Sequence, residues 1–236
     1  MPLARHLALT RPDIGDVVVP IAAGRVVVDG RIVTNPAALV RQDARITVQR
    51  GRRLRGTAKL TAALTGFAVA VNGRVALDLG ASAGGFTTAL LRAGAKRVYA
   101  VDAGVGQLAG WLRQEPRVVN LEGVNLGRLE ATQIPEPVEL VTIDLSYLSL
   151  AEAVPQLERL KFHPAADLVA LVKPMFELGR AQPPAPNDDA TVEQAVKAAI
   201  VGIETGPWQI VGHLRSPVSG RRGAAERLLH GTRKRT

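Results

Sequence analysis

Four charged residues stand where predicted apolar strands end. Asp78, Asp102, Asp144 and Lys173 each lie in or directly after a run of apolar residues. Parallel strands present their carboxyl ends at one edge of a sheet, and ligands of open α/β folds bind beyond that edge. Three carboxylates and one amine can hold a polar cofactor and move a proton. The sequence therefore predicts one site at this edge.

A glycine-rich turn accompanies the first of these strands. The run V-A-L-D-L-G-A-S-A-G-G-F-T-T-A-L-L at 75–91 predicts a strand, a tight turn and a helix. Gly80, Gly84 and Gly85 have no β-carbon, so a ligand could approach the backbone while the amides of the helix point at it. An ordinary α/β turn that needs glycine only for its geometry is the alternative.

The glycine spacing discriminates between cofactors. It reads G-x-x-x-G-G, which is neither the dinucleotide pattern nor a P-loop. Asp78 would repel a pyrophosphate but suits a cationic sulfonium or amino group, and Asp102 can accept hydrogen bonds from a ribose diol. S-adenosylmethionine is thus favoured over NAD. The predicted cofactor-binding residues are Asp78, Gly80, Ala81, Ser82, Gly84, Gly85, Phe86, Asp102 and Asp144.

Asp144 and Lys173 are the candidates for the chemical step. Lys173 follows a buried apolar run, where loss of water disfavours the charged amine and suits it as a general base toward a hydroxyl. Asp144 could hold this lysine in place and orient the substrate. A salt bridge that only closes the sheet edge is the alternative interpretation.

The composition excludes several other kinds of chemistry. The 236 residues contain no cysteine, and the four histidines, His6, His163, His213 and His230, lack the spacing of metal ligands, so we expect no metal. No apolar stretch is long enough to span a membrane, and no signal peptide is apparent. We therefore expect a cytoplasmic protein without a membrane partner.

The net charge of +9 points to a polyanionic partner. The basic residues cluster at 50–55 and again near the end of the chain, so two distant regions could flank one nucleic acid. A compositional bias toward arginine would explain part of the excess of charge but not the clustering. The predicted RNA-binding residues are Arg50, Arg52, Arg53, Arg55, Arg221 and Arg222.

The elements that must position these residues alternate along the chain. We predict an α/β fold with a mostly parallel, doubly wound sheet. Its predicted strands are 74–79, 97–102, 117–121, 138–144 and 167–173, and its predicted helices are 58–71, 86–93 and 107–112.

The first 49 residues predict a separate small α+β domain. Apolar spacing indicates helices at 4–9 and 13–23, and Asp29-Gly30 predicts a hairpin turn. The pattern G-R-V-x-V-D-G-x-x-V-x-N-P at 24–36 resembles the RNA-binding domain typified by ribosomal protein S4. A module that only steadies the larger domain is the alternative. Residues 50–57 are predicted to be a basic linker.

The larger part, 58–236, resembles a known enzyme family. The motifs L-D-L-G-A-S-A-G-G-F-T, V-Y-A-V-D-A-G-x-G-Q-L, D-L-S-Y-L-S-L and L-V-K-P-M-F-E-L-G-R are similar to those of the TlyA or hemolysin-type RNA 2′-O-methyltransferases. The resemblance implies a Rossmann-like, FtsJ-like domain that uses S-adenosylmethionine, with ribosomal RNA within ribosomal subunits as its partner. It also implies the catalytic set Lys59, Asp144, Lys173 and Glu226.

Two other functions remain open from the sequence. One is an RNA-binding factor that keeps the fold but does not turn over. The other is a methyltransferase for a small molecule, because a proline-rich segment at 182–189 replaces the residues that the family usually has there. Aromatic residues that could stack on a base are few, and Tyr147 and Phe176 are the nearest candidates.

Overall fold

The chain forms two compact units. The computed structural model describes residues 1–22, 24, 26–48, 54–182, 184–185, 188–220 and 223–234. One unit comprises Met1–Leu54 with Ala109–Glu115, and the other comprises Arg55–Leu108 with Pro116–Thr236. The second unit thus begins at Arg55, three residues before the start that the sequence predicted.

The amino-terminal part of the first unit contains two helices and a small antiparallel sheet. Its elements are α1 (Leu3–Thr10), α2 (Val18–Ala22), β1 (Val26–Val28), β2 (Arg31–Ile32) and β3 (Ile46–Val48). The strands are ordered β2-β1-β3, and Asp29 and Gly30 join β1 to β2 with φ angles of 47° and 83°. The predicted hairpin is therefore present. Helix α2 begins later than predicted, at Val18, whose amide is bound by the Asp16 carboxylate.

The second unit is built on a larger sheet. Its strands are β4 (Val75–Leu79), β5 (Arg97–Asp102), β6 (Val118–Glu122), β7 (Val138–Ile143), β8 (Phe162–Val172), β9 (Trp208–Arg215) and β10 (Arg227–Arg233). Among the described residues they are ordered β6-β5-β4-β7-β8-β10-β9. The first five are parallel, as predicted, whereas β10 is antiparallel to both its neighbours. Neither β9 nor β10 was predicted from the sequence.

The remaining helices are α3 (Arg55–Gly66), α4 (Gly85–Arg92), α5 (Gly110–Arg113), α6 (Leu150–Ala153), α7 (Pro174–Glu177) and α8 (Asp189–Glu204). Helix α3 begins inside the predicted linker. A β-carbon on Gly85 would lie only 3.0 Å from the Gly56 Cα, and Thr57 Oγ1 donates a hydrogen bond to the Gly85 carbonyl at 2.9 Å. The first turn of α3 is therefore packed against the start of α4, and it is not a free connector.

The core of the second unit explains why its strand ends are fixed. Every residue of β4 is buried, and the facing parts of β7 and β8 are almost wholly apolar and buried as well. Burial on both faces is what a parallel sheet between helices requires. No helix in the described part of the chain is long and apolar enough to cross a bilayer.

Candidate active site

The turn after β4 lies directly against the end of β7. The Asp144 amide donates to the Leu79 carbonyl at 2.9 Å, which ties the end of β7 to β4. Gly80 has a φ of 83°, and a β-carbon there would lie 2.5 Å from the Asp144 carbonyl oxygen. Glycine is thus required at position 80 by the approach of the protein's own backbone.

Asp78 lies beneath this turn with no exposed surface. Its carboxylate accepts hydrogen bonds from Thr87 Oγ1 at 2.6 Å and from Thr142 Oγ1 at 3.0 Å. Burial raises the pKa of Asp78 to about 7, although both threonine hydroxyls oppose the shift. From the sequence, Asp78 was predicted to face a cationic group. In the structure its carboxylate oxygens face Thr87 and Thr142, and neither threonine was predicted to belong to the site.

Replacing Asp78 by asparagine should flatten the pH dependence of stability. The raised pKa means that the folded state holds this proton more tightly, so the stabilisation is present below about pH 4 and is lost as the pH rises through about 7. Between pH 5 and 7 the wild-type protein should lose roughly 2 kcal/mol that Asp78→Asn does not lose. Urea unfolding of both proteins across this range measures the difference, and parallel curves would contradict the assignment.

Asp102 organises the loops above the sheet. Its two carboxylate oxygens accept hydrogen bonds from the amides of Ser82, at 2.8 Å, and Gly104, at 2.7 Å. Ser82 adopts a left-handed φ of 47°, and its hydroxyl bonds to Gln107 at 3.1 Å. A carboxylate oxygen can accept more than one hydrogen bond, so half-buried Asp102 retains acceptor capacity for a ribose diol.

The start of α4 is also suited to the predicted cofactor. Gly84, at the N-cap, has a φ of 92°, and no side chain of the described residues caps this helix. Uncapped amides at a helix start bind anionic groups such as a carboxylate. These groups therefore fit S-adenosylmethionine, because the amides of α4 can donate to its carboxylate and Asp102 can accept from its ribose hydroxyls.

Asp144 and Lys173 form an ion pair at the ends of β7 and β8. Lys173 Nζ lies 2.6 Å from Asp144 Oδ1, and both side chains are largely buried. The same nitrogen donates hydrogen bonds to the Leu145 carbonyl and to Ser146 Oγ, each at 2.8 Å. It also donates to the Asp144 carbonyl at 3.4 Å, so the amine is oriented by acceptor atoms of three residues, Asp144, Leu145 and Ser146. Ser146 was missed by sequence reasoning, although it lies in the same D-L-S motif.

A second ion pair, between Lys59 and Glu226, lies in the same unit. The Lys59 ammonium contacts Glu226 Oε2, and both side chains are less than 10% exposed, at 8% and 5%. Glu226 precedes β10, and because Arg227 pairs with Val172 of β8, the antiparallel register places Glu226 level with Lys173. A β-carbon on Gly220 would lie 2.3 Å from Glu226 Oε1, so Gly220 packs closely against this carboxylate.

The two ion pairs act on each other. Burial raises the pKa of Glu226, and Lys59 opposes the shift most strongly. Asp144 raises the same pKa and Lys173 lowers it, so all four groups share one electrostatic environment. The structure therefore brings together Lys59, Asp144, Lys173 and Glu226, which are separated by up to 167 positions in the chain.

The other predicted site residues differ in what the structure shows. Arg50, Arg52, Arg53, Arg221 and Arg222 lie outside the described residues, while Arg55 is the exposed first residue of α3. Tyr147 is 47% exposed, and its hydroxyl accepts a hydrogen bond from the Leu126 amide at 3.2 Å. Within the described ranges, no three histidine or acidic side chains form a group that could hold a metal ion.

Comparison with known proteins gives consistent matches. The profile of the FtsJ-like methyltransferases matches residues 52–233. The 16S/23S rRNA (cytidine-2′-O)-methyltransferase TlyA of Mycobacterium tuberculosis is 40% identical over 232 residues, which are 95% of this chain and 85% of that protein. A solved structure assigned as a hemolysin from Streptococcus thermophilus has a TM-score of 0.72 at 30% identity and covers 99% of this chain and 88% of that one. The S-adenosylmethionine-dependent methyltransferase of Mesorhizobium loti shares the fold, with a TM-score of 0.52 at 18% identity over 76% of this chain and all of that one.

Proposed function

Because the chain belongs to the FtsJ-like methyltransferase family, we propose that it methylates a ribose 2′-hydroxyl of RNA, with ribosomal RNA as the substrate. It is an S-adenosylmethionine-dependent methyltransferase. The observation that carries the proposal is the cluster of Lys59, Asp144, Lys173 and Glu226 beside the glycine-rich turn. The activity named for the Mycobacterium tuberculosis relative supports the substrate class.

Lys173 is the proposed general base. Bound S-adenosylmethionine supplies an electrophilic methyl group, and the protein must align the 2′-hydroxyl with it and remove one proton. The proton passes to Lys173 Nζ, where Asp144, at 2.6 Å, stabilises the ammonium that forms.

The three residues that accept from Lys173 suggest the direction from which the hydroxyl arrives. A neutral amine has one N–H fewer than an ammonium, so it can keep its contacts with two of these residues and point its lone pair toward the third. Asp144 and Leu145 are the more buried partners, whereas Ser146 is exposed. We therefore place the substrate hydroxyl on the Ser146 side of Nζ.

Lys59 and Glu226 belong to the catalytic set that the family resemblance implies. Because each side chain is almost completely buried against the other, we assign them an indirect part in this mechanism. They fix the end of β10 beside β8 and add a balanced pair of charges next to Asp144 and Lys173.

Transfer of a tritiated methyl group tests the proposal. The purified protein is incubated with labelled S-adenosylmethionine and with ribosomal subunits or naked ribosomal RNA. Because a 2′-O-methyl group removes the hydroxyl that alkaline cleavage requires, the label should appear in alkali-resistant dinucleotides. Label in mononucleotides would indicate base methylation, and the absence of label in any RNA would contradict the proposal.

The arginines at 50–55 should provide part of the RNA affinity. Each phosphate contact contributes a slope of about −0.7 to −0.9 to the dependence of log K on log salt. Replacing Arg50, Arg52, Arg53 and Arg55 by alanine should make this slope less negative and weaken binding to all RNAs alike. Filter binding across a salt series measures the slope.

A control for this prediction is available in the second unit. Exposed Lys96 and half-buried Arg97 are basic residues at the amino-terminal end of β5, where both pair with Glu136, away from the strand ends that form the site. Their replacement by alanine should leave the slope unchanged. An unchanged slope in the four-arginine variant would remove the segment from the RNA-binding surface.

A further inference from the structure

Glu177 is a largely enclosed carboxylate outside the four predicted catalytic positions. It ends α7, four residues after Lys173. Both of its carboxylate oxygens accept a hydrogen bond from the Leu150 amide, at 3.1 Å each. Leu150 is the first residue of α6, so Glu177 holds the point at which the loop after β7 becomes a helix.

The same short segment also holds the beginning of that loop. Lys173 donates to the Leu145 carbonyl and to Ser146 Oγ, each at 2.8 Å. The segment Lys173–Glu177 therefore binds the loop 145–149 at both ends. The Lys173 ammonium donates to the carbonyl of Leu145 at the start of the loop, and the Glu177 carboxylate accepts from the amide of Leu150 just after its end. Each charged group meets the backbone pole of opposite sign.

Two other contacts restrict the loop between these anchors. The Tyr147 hydroxyl accepts a hydrogen bond from the Leu126 amide. Ser149 and Glu152 form a reciprocal capping box at the start of α6. With its ends and its middle held, the loop can keep Ser146 and the Leu145 carbonyl at the positions where they orient Lys173.

The electrostatic surroundings of Glu177 favour a role as hydrogen-bond acceptor. Among the described residues, Glu177 forms no ion pair. The charged group that acts on it is Glu152, which repels its negative charge. Burial raises the pKa of Glu177 to about 7, and the Leu150 amide opposes this shift. Burying a carboxylate that has no cation beside it is energetically unfavourable. We therefore infer that the function of Glu177 lies in where it places its two acceptor oxygens.

We propose that Glu177 is a positioning residue, which fixes the loop 145–149 by binding the Leu150 amide and thereby fixes the two loop acceptors that orient Lys173. The inference rests on the proposed function for its effect on turnover. The anchoring of the loop by Glu177 can be measured whether or not the protein transfers a methyl group.

Three substitutions separate the effect of the length of the Glu177 side chain from the effect of its charge. Glu177→Gln keeps the length of the side chain and an acceptor oxygen but loses the charge. Glu177→Asp keeps the charge but is shorter by one methylene, and Glu177→Ala loses both. Glu158→Ala is the matched control, because Glu158 is an exposed acid that pairs with Arg233 and, among the described residues, forms no hydrogen bond with the loop 145–149.

Hydrogen exchange and steady-state kinetics are the two measurements. We expect exchange of the Leu150 amide to accelerate by about tenfold or more in the Ala and Asp variants, while the Gln variant and Glu158→Ala stay near wild type. The kcat for methyl transfer should fall by about tenfold in the Ala and Asp variants, with KM for S-adenosylmethionine unchanged.

The outcomes distinguish the inference from the proposed function. If the wild-type protein transfers no methyl group to RNA, the proposed function fails, and the exchange data still decide whether Glu177 anchors the loop. If the Asp variant behaves like the wild type and the Gln variant like the Ala variant, the charge of residue 177 and not the length of its side chain holds the loop. That result overturns the inference. Unchanged exchange and kcat in all variants would overturn it as well.

Discussion

Replacing Lys173 by alanine is expected to lower kcat for methyl transfer by about 10²–10⁴-fold, the usual contribution of a general base. The physical reason is that Nζ is the proposed proton acceptor and is held by Asp144, Leu145 and Ser146. Binding of S-adenosylmethionine, measured by calorimetry, should be retained, because in the described part of the chain no hydrogen bond or ion pair joins Lys173 to the glycine-rich turn or to Asp102.

Lys173→Arg separates base catalysis from electrostatic stabilisation. Arginine keeps the positive charge and several donors but cannot release its proton at accessible pH. If Lys173 is the base, the arginine variant should be as inactive as the alanine variant. Substantial activity in Lys173→Arg would instead assign this position a purely electrostatic part.

A lysine at the opposite end of β8 provides the control. Lys161 is exposed and directly precedes β8, whereas Lys173 directly follows it. Lys161→Ala should keep both turnover and cofactor binding. A loss of turnover in both lysine variants would point to a general effect of charge on RNA binding.

The second large effect is expected at the Lys59–Glu226 ion pair. Glu226→Met should destabilise the protein by about 3–5 kcal/mol, because it leaves the buried Lys59 ammonium without its carboxylate. Lys59→Met should cost less at mildly acid pH, since burial has already raised the pKa of Glu226 and the carboxyl can become neutral by binding a proton. Urea unfolding measures both changes.

The double variant Lys59→Met with Glu226→Met tests what the ion pair is for. Replacing a buried ion pair by apolar residues of similar volume is often neutral for stability. We therefore expect the double variant to recover most of the lost stability while methyl transfer stays impaired. Recovery of both stability and activity would show that the pair only closes the end of the sheet.

The parallel part of the fold was predictable because its signals are local. Strands β4, β5, β7 and the last part of β8 are mostly apolar runs that end in or beside a charged residue, so their carboxyl ends followed from the sequence directly. Strand β8 begins at Phe162, five residues before its predicted start, because its first residues are mostly polar or exposed and carry no apolar signal. The parallel order at one edge then placed Asp102, Asp144 and Lys173 together. The hairpin at Asp29 and Gly30 followed equally from two adjacent residues that tolerate positive φ.

The position of Glu226 beside Lys173 could not be predicted from the local sequence, because it depends on which strands pair with each other. Strand β10 lies between β8 and β9, and its antiparallel register with β8 decides that Glu226 lies beside Lys173. The sequence provided Glu226 only through the family motif, because nothing near position 226 indicates which strand it will pair with. The start of α3 at Arg55 likewise depends on the contact between Gly56 and Gly85, which are far apart in the chain.

By itself, the sequence determined the family, the cofactor class and the residues that end the parallel strands, since all of these are written in contiguous motifs. Only the tertiary structure decided how much water each charged group retains. It buries Asp78 completely between two threonines, pairs Lys59 with Glu226 away from solvent and leaves Ser146 exposed beside Lys173. Burial depends on every element packed around a side chain, and for that reason it cannot be read from the residues on either side of it.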